Sequence, residues 1–361
     1  MEDMVIEESF WKGRRVLITG HTGFKGGWLS LWLTKLGAKV YGYAIDPPNS
    51  PSFFKEAKVE SFIEKSIYGN ILDIELFTRK MLDISPEIVI HMAAQSLVKE
   101  SYTNPQLTYS TNIMGTVNLF EVIRKTPSVK AILNITSDKC YENYETNVGY
   151  TEIDPMGGFD PYSSSKGCSE LISSAYRQSF FQNEGVALAT GRAGNVIGGG
   201  DWAKNRLIPD AIRAFLSNNP LIVRNPLATR PWQHVLEPLS GYILVCQQLI
   251  KAPKEYSEGW NFGPSSEDVA SVSKLVDIVV KVWGKNASWK QDKNFHPHEA
   301  HLLGLNCSKA NSKLNWTPVW HLDRSIFETI QWYKKWNSGQ DMHKFSVNQI
   351  EYYQKEYQLN E

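Results

Sequence analysis

The feature that most limits how this chain can fold is the alternation of short apolar runs with longer amphipathic segments between Arg14 and Gly198. Runs such as RRVLITG, PEIVIHMAA and AILNITS are continuously apolar, as expected of parallel strands buried on both faces. Helical segments lie between them, among them GGWLSLWLTKLG and NIMGTVNLFEVIRKT. This alternation predicts an α/β fold with a doubly wound, Rossmann-type parallel sheet.

Beyond Gly198 the alternation stops, and glycines, prolines and tryptophans separate shorter elements. We expect a smaller C-terminal α/β lobe at the edge of the sheet where ligands of such folds bind. The apolar segment HVLEPLSGYILVCQQLI predicts a helix that returns to the first domain. The expected division is residues 1–195 with about 236–257 as a dinucleotide-binding domain, and 196–235 with 258–361 as a substrate-binding lobe.

Charge and cysteine content exclude several classes of function. The 38 Lys and Arg residues balance 38 Asp and Glu residues, so nothing indicates a nucleic acid or anionic membrane partner. The N-terminal MEDMVIEESFWKGRR is not a signal peptide, and no apolar run reaches the roughly 20 residues of a membrane span. The four cysteines are far apart, which favours reduced thiols in the cytoplasm and no metal site.

A GxxGxxG motif, formed by Gly20, Gly23 and Gly26, follows the first apolar run directly and opens a predicted helix. Glycines allow a tight turn and close approach of backbone amides to a pyrophosphate, and the helix N-terminus adds partial positive charge. The alternative is a glycine-rich turn without a ligand. The position after the first strand favours a dinucleotide site, to which Thr22, Phe24 and Lys25 also belong.

Asp46 ends the second apolar run, where an acidic side chain can accept hydrogen bonds from the adenosine ribose. A carboxylate there repels a 2′-phosphate, so the sequence favours NAD over NADP. The alternative is that Asp46 only begins the Asp-Pro-Pro turn. Lys25 leaves NADP open, because a lysine in the glycine loop could face a phosphate.

The sequence Tyr162-Ser163-Ser164-Ser165-Lys166 begins another predicted helix. Positions i and i+4 share one helical face, and an ammonium near a phenol favours the phenolate. Tyr162 is therefore a candidate general base near neutral pH. The alternative is a surface tyrosine, which the glycine loop upstream makes the weaker interpretation.

These motifs resemble those of the extended short-chain dehydrogenase/reductases, and the likeness covers nearly the whole chain: the glycine loop, HMAAQSLV, NIMGT, TSDK, YSSSK and GRAGNVIG. The resemblance implies that Tyr162 takes the proton of a sugar 4-hydroxyl. Lys166 tunes that phenol and holds the nicotinamide ribose, and Ser137 hydrogen-bonds the same hydroxyl. Further cofactor contacts are expected from Asn70, Ile71, Ala93, Ala94, Gln95 and Asn112. Family members pair the NIMGT and YSSSK helices between subunits, which implies a homodimer or homotetramer.

The triplet Ser137-Asp138-Lys139 is similar to the Thr-Asp-Glu triplet of sugar-nucleotide 4,6-dehydratases. In that family the aspartate is the acid at the 6-hydroxyl and the glutamate removes the C5 proton. Lys139 departs from the pattern, and an ordinary lysine is protonated at pH 7. It could act as the base if burial or Lys166 lowers its pKa, or it could stabilise enolate-like charge. The alternative is a solvated ion pair of Asp138 with Lys139.

Lysine at this place, together with GHTGFKGG, GGGDW and RPWQHVLEP, resembles the CDP-glucose branch of these dehydratases. The resemblance implies oxidation at C4, elimination of water across C5 and C6, return of the hydride to C6, and a role in deoxysugar biosynthesis of the O-antigen type. The diphosphate and ribose of the nucleotide sugar are expected to contact Asn195, Arg206, Arg230, His298 and Glu299.

Three other functions remain open at this stage. A dTDP- or GDP-sugar 4,6-dehydratase is one, because the sequence shows no residue that must recognise the nucleobase. A UDP-sugar 4-epimerase needs no acid and base beyond Tyr162, so Asp138 and Lys139 speak against it. A non-catalytic NAD-binding sensor would be expected to lack Tyr162 or Lys166, and both are present.

Overall fold

The computed structural model describes residues 5–146, 148–284, 286–292 and 303–359. The strands are β1 Arg15–Thr19, β2 Lys39–Ala44, β3 Lys65–Tyr68, β4 Ile88–His91, β5 Ala131–Ile135, β6 Ala187–Ala193, β7 Val196–Ile197, β8 Leu221–Val223, β9 Thr229–Pro231, β10 Gln233–His234, β11 Gly259–Phe262, β12 Val269–Ser271 and β13 Trp289–Gln291.

The helices are α1 Glu8–Trp11, α2 Phe24–Lys35, α3 Phe53–Glu56, α4 Ile74–Ile84, α5 Val98–Thr103, α6 Pro105–Tyr109, α7 Gly115–Ile123, α8 Pro161–Tyr176, α9 Gln182–Glu184, α10 Leu207–Leu216, α11 Leu236–Lys251, α12 Pro253–Tyr256, α13 Val272–Trp283, α14 Ser308–Leu314, α15 Leu322–Asn337 and α16 Met342–Leu359. Short π-helical turns, Ser110–Met114 and Arg177–Phe181, join α6 to α7 and α8 to α9. No helix in these described ranges is both long and apolar enough to cross a bilayer.

Seven parallel strands form the central sheet in the order β3-β2-β1-β4-β5-β6-β11. The predicted doubly wound, Rossmann-type fold is confirmed. The order reverses between β1 and β4, and in register Thr19 lies opposite His91, which lies opposite Asn134. Because parallel strands end at the same edge, the segments after β1, β4 and β5 meet there, at the switch point where such folds bind ligands.

Some strand limits differ from those expected from sequence. The run PEIVIHMAA forms a strand only as far as His91, and VALATGRAGNVIG divides into β6 and β7. Asn195, between them, has a φ of 41°, which interrupts an extended strand. The sheet also includes β11, in a range that sequence assigned to the lobe. That edge strand, GWNF, contains Gly and Asn and lacks a Val/Ile run.

Helix α11 is almost wholly enclosed: 14 of its 16 residues are buried. It packs against β5 and β6 on one face of the sheet. A separate apolar cluster on the opposite face includes Phe77, Leu119 and Phe181. The sheet is thus covered on both faces, as continuous apolar strands require.

The C-terminal region is mainly helical, with three two-stranded pairs: β7 with β10, β8 with β13 and β9 with β12. Helix α16 packs on α2, where the rings of Trp32 and Tyr353 meet edge to face at 5.6 Å. The buried Glu237 carboxylate of α11 accepts hydrogen bonds from the Trp320 amide (2.7 Å) and the Tyr353 hydroxyl (2.7 Å). Burial raises the pKa of Glu237 to about 7.

Candidate active site

The glycine loop leaves space beside its backbone that side chains at these positions would occupy. Gly20 follows β1 with a φ of 78°, and a Cβ there would lie 2.7 Å from the Ala93 amide nitrogen. A Cβ on Gly26 would lie 2.2 Å from the Gly20 carbonyl oxygen. Gly23 caps the N-terminus of α2 without a side chain. This backbone fits the pyrophosphate of a dinucleotide, because only glycines leave room for close approach beside a helix N-terminus.

The second strand ends next to this loop. The Thr22 hydroxyl donates to the carbonyl of Ile45 at 2.9 Å, which ties the loop to the end of β2. Asp46 is the next residue and is exposed to solvent. It lies where an adenosine ribose would be expected. Phe24 begins α2 and packs against the main apolar core.

The residues expected further along the cofactor groove follow β3 and β4. Asn70 accepts the Tyr43 hydroxyl on its carbonyl at 3.0 Å, and Ile71 is buried. Ala93 donates its amide to Thr19 Oγ1 at 3.2 Å. Ala94 follows in the same loop and is half-buried. The structure therefore places these residues along the edge formed by the strand ends.

Asn112 connects that edge to the helix carrying the YxxxK motif. Its side chain exchanges two hydrogen bonds with the Gln95 backbone, both 2.9 Å, and donates to Ser165 Oγ at 2.9 Å. Asn112 is buried within the π-helical turn Ser110–Met114. It fixes the spacing between the β4 loop and α8.

Tyr162 and Lys166 lie on the first turns of α8, both buried. Asp160 caps the helix by accepting the Ser163 amide at 3.0 Å, which satisfies an otherwise unpaired donor. Lys166 Nζ donates to the Ile135 carbonyl at 3.0 Å. Burial lowers the pKa of Lys166 to about 8, although the Glu170 charge acts in the opposite direction.

The pKa of Tyr162 is governed by its surroundings in a way that sequence did not predict. Burial raises it to about 12. A hydrogen bond with Ser137 and the charge of Arg206 favour the phenolate, whereas the charge of Asp138 opposes it. The groups that favour deprotonation therefore come from the β5 loop and from the start of α10.

Asp138 lies at the centre of this cluster. It begins a short 3₁₀ turn after β5, is 2% exposed, and accepts a hydrogen bond on Oδ1 from Ser137 Oγ at 2.9 Å. Within the described part of the chain, nothing donates to its Oδ2. A buried carboxylate oxygen without a partner is costly and marks a place where a ligand group can bind. Lys139 is half-buried and donates its amide to Ser137 Oγ at 3.2 Å.

Lys25 reaches the same cluster from the glycine loop. Its Nζ donates to the hydroxyl of Tyr242 on α11 at 3.2 Å. Burial, with the charges of Lys166 and Arg206, lowers the pKa of Lys25 to about 7, while Asp138 opposes that shift. The amine thus lies among the acid–base groups.

The residues expected to hold the nucleotide sugar lie on several elements. Arg206 donates to Asp201 Oδ2 at 2.9 Å and to Ser96 Oγ at 3.2 Å, within the electrostatic field of Tyr162. Asn195 follows β6 after one intervening residue, Gly194. Arg230 lies on β9 in the C-terminal region and donates to the Thr229 carbonyl. His298 and Glu299 lie outside the described residues.

Beneath the cluster is a buried ion pair that sequence reasoning missed. Arg192 of β6 binds Glu170 of α8 through two hydrogen bonds of 2.9 and 2.8 Å. Thr136 and Thr190 also donate to the Glu170 carboxylate, so the residue preceding Ser137 is anchored to it. The spacing of Glu170, one helical turn after Lys166, could have predicted that its carboxylate lies near the candidate site. No sequence feature predicted that Tyr242 lies at the site, because the sequence of its helix is typical of a buried apolar helix.

Fold and site together define a dinucleotide-dependent enzyme of the short-chain dehydrogenase/reductase type. The model of the GDP-mannose 4,6-dehydratase family matches residues 17–329, and this chain belongs to that family. A CDP-glucose 4,6-dehydratase of Salmonella typhimurium is 54% identical over 354 residues, which cover 97% of this chain and 98% of the relative. The predicted relationship to sugar-nucleotide 4,6-dehydratases is thereby confirmed.

More distant proteins share the architecture. A dTDP-glucose 4,6-dehydratase of Xanthomonas campestris is 24% identical over 343 residues, with 88% of this chain and 92% of the relative covered. The crystal structure of a dTDP-glucose 4,6-dehydratase from Bacillus anthracis in complex with NAD has a TM-score of 0.73 at 21% identity, covering 90% of this chain and 97% of that one. At this identity the structural match establishes the fold.

Proposed function

We propose that this protein is an NAD-dependent hydro-lyase that converts CDP-glucose to CDP-4-keto-6-deoxyglucose and water. The observation that carries the proposal is the 54% identity to a CDP-glucose 4,6-dehydratase across nearly the full length of both chains. The convergence of Tyr162, Ser137 and Asp138 supports it, because elimination needs an acid beyond the phenol that serves oxidation.

The glycine loop with Asp46, Asn70 and Ala93 would hold NAD, and Lys166 would hold its ribose. Bound there, NAD supplies a hydride acceptor for C4 and afterwards the hydride donor for C6. The remaining chemistry belongs to side chains of this chain.

Tyr162 receives the proton of the 4-hydroxyl, helped by its hydrogen bond with Ser137. The resulting 4-ketone acidifies the C5 proton. Lys139 removes that proton and returns it to C5 when C6 receives the hydride, and Asp138 protonates the 6-hydroxyl so that it departs as water. The proton gained by Tyr162 and the proton lost by Asp138 re-equilibrate through solvent. Arg206, Asn195 and Arg230 would bind the diphosphate, since guanidinium groups match phosphate oxygens.

The decisive experiment uses CDP-glucose carrying deuterium at C4, with NAD present. A 4,6-dehydratase delivers the label to C6 of a product lighter by one water, which mass spectrometry and NMR detect. A 4-epimerase returns the label to C4 and loses no water, and a sensor gives no product. Parallel reactions with UDP-, dTDP- and GDP-glucose test the nucleobase, and turnover confined to one of those would refute CDP-glucose as the substrate.

We further propose a homodimer or homotetramer that pairs the helical stretch 105–123 and α8 between subunits. Leu107 on α6 and Met114 at the end of the following π-helical turn are both 49% exposed, and Leu171 on α8 is 59% exposed. Apolar side chains on adjacent exposed helices fit a subunit interface. We also propose a cytoplasmic enzyme in the biosynthesis of deoxysugars of the lipopolysaccharide O-antigen type.

The division into a dinucleotide-binding domain, residues 1–195 with about 236–257, and a substrate-binding lobe, 196–235 with 258–361, remains a proposal. The small strand pairs and the position of Arg230 on β9 support a separate lobe. β11 is the exception within the second range, because it belongs to the central sheet.

A further inference from the structure

We propose that Gly194 is a positioning residue for elimination: the absence of a side chain there leaves the space in which the Asp138 carboxyl must lie. The inference rests on the proposed function, in which Asp138 is the acid at the 6-hydroxyl. The residue acts through Asp138, because it decides whether that acid is in place.

The contact is unusually specific. A Cβ built on Gly194 would meet three atoms first, all of them from Asp138: Oδ2 at 1.8 Å, Cγ at 2.2 Å and Oδ1 at 2.8 Å. The carboxylate is 2% exposed, and Oδ1 is already engaged by Ser137 Oγ at 2.9 Å. Any side chain at position 194 therefore competes with the carboxylate for the same volume.

The backbone at Gly194 cannot easily recede. Its carbonyl accepts a hydrogen bond from Gln233 Nε2 at 3.2 Å, and the same nitrogen donates to the Phe262 carbonyl at 2.9 Å. Gln233 is buried, and its amide donates to the carbonyl of Asn195 at 3.4 Å. With the end of β6 tied to β10 and β11, the group that yields is the Asp138 side chain.

The need for glycine here is not conformational. Gly194 is absent from the positive-φ glycines of the described chain, so an alanine can adopt its backbone geometry. Gly20, by contrast, has both a positive φ and a backbone clash. Substitution at 194 is consequently expected to displace one side chain, that of Asp138, and to leave the backbone around it in place.

The test is Gly194→Ala, assayed in single turnover with CDP-glucose and NAD. We expect C4 oxidation to proceed, so that reduced cofactor accumulates, while release of the 4-keto-6-deoxy product falls about 100-fold, the lower range for loss of a general acid. KM for CDP-glucose should stay within about threefold, because the diphosphate contacts are untouched. A variant that dehydrates at the wild-type rate, or that also loses C4 oxidation, overturns the proposal.

A double-variant cycle with Asp138→Ala isolates the cause. Removing the carboxyl makes room for the alanine methyl, so Gly194→Ala should cost no more than about twofold in that background. Losses that multiply would mean that Gly194 acts independently of Asp138. If Gly194→Ala alone is insoluble, a folded double variant supports the clash, and failure of both overturns it.

Gly304→Ala is the matched control, because among the described residues its Cβ would come within 4 Å of Gly149 alone, at 3.8 Å, and it should keep wild-type turnover. Failure of the proposed function looks different from failure of this inference. If the proposed function is wrong, the wild-type enzyme itself dehydrates none of the four nucleotide glucoses.

Discussion

Replacing Glu170 by glutamine should destabilise the protein and disturb the loop that carries Ser137. Glutamine keeps the shape of the side chain but removes the charge that faces Arg192. Burial alone raises the pKa of Glu170, but the Arg192 charge and the hydrogen bonds from Arg192, Thr136 and Thr190 outweigh it, and the pKa lies below its usual value. The carboxylate is therefore expected to be ionised at neutral pH, and it forms an ion pair with Arg192 at 2.8 Å.

The expected size of the effect follows from burial. The two side chains are 6% and 5% exposed, so Glu170→Gln leaves the Arg192 guanidinium desolvated without its counter-charge. Breaking a buried, hydrogen-bonded pair by removing one partner costs about 3–5 kcal/mol. Replacing both members by apolar residues of similar volume, as in Glu170→Met with Arg192→Leu, should recover most of that loss, since it removes both desolvation penalties.

Urea unfolding monitored by tryptophan fluorescence measures the change. The control is Glu351→Gln, which breaks the 3.4 Å ion pair with Lys35 at 46% and 22% exposure and should cost less than about 1 kcal/mol. Glu170 stabilises the fold above its unfolded pKa, and this contribution is lost as pH falls through its depressed folded value. A loss of under 1 kcal/mol for Glu170→Gln, or a double variant worse than the single, would refute the reasoning.

Three further outcomes are expected. The surroundings of Tyr162 raise the pKa of its phenol to about 12. The difference in ultraviolet absorbance between the cofactor-free wild type and Tyr162→Phe should therefore show no phenolate below pH 10, and a Tyr162 phenol that titrates near pH 10 would contradict this. Lys139→Ala should accumulate reduced cofactor while product formation falls about 100-fold, and normal dehydration would mean that another group is the base. The double variant Met114→Asp with Leu171→Asp should be monomeric in light scattering. The control Leu82→Asp changes another exposed leucine, on α4, and should keep the oligomer.

Much of the framework was accessible from sequence because its signals are local. Continuous apolar runs such as that of β4 predict buried parallel strands, and the glycine loop predicts the tight turn seen at Gly20. The placement of Tyr162 and Lys166 about one turn apart on α8 follows from helical spacing alone. These features need no knowledge of distant parts of the chain.

The features that escaped prediction depend on long-range contacts. Tyr242 is separated from Lys25 by over 200 residues, and only the packing of α11 under the sheet brings them together. The shift in the Tyr162 pKa depends on burial and on Arg206, which neither motif nor spacing reveals. In the sequence Gly194 is simply a glycine at the end of a predicted strand, and its role becomes visible only when the position of the Asp138 carboxyl is known.

The enclosure of α11 has a consequence for anyone seeking to alter this enzyme by directed evolution. Tyr242 of this helix contacts Lys25 in the acid–base cluster, and Glu237 accepts a hydrogen bond from Trp320 in the C-terminal region. Neither residue has a chemical role in the proposed reaction. Few substitutions between 236 and 249 are therefore expected to be tolerated, and libraries of variants are better directed at exposed loops, where changes do not require repacking of the interior.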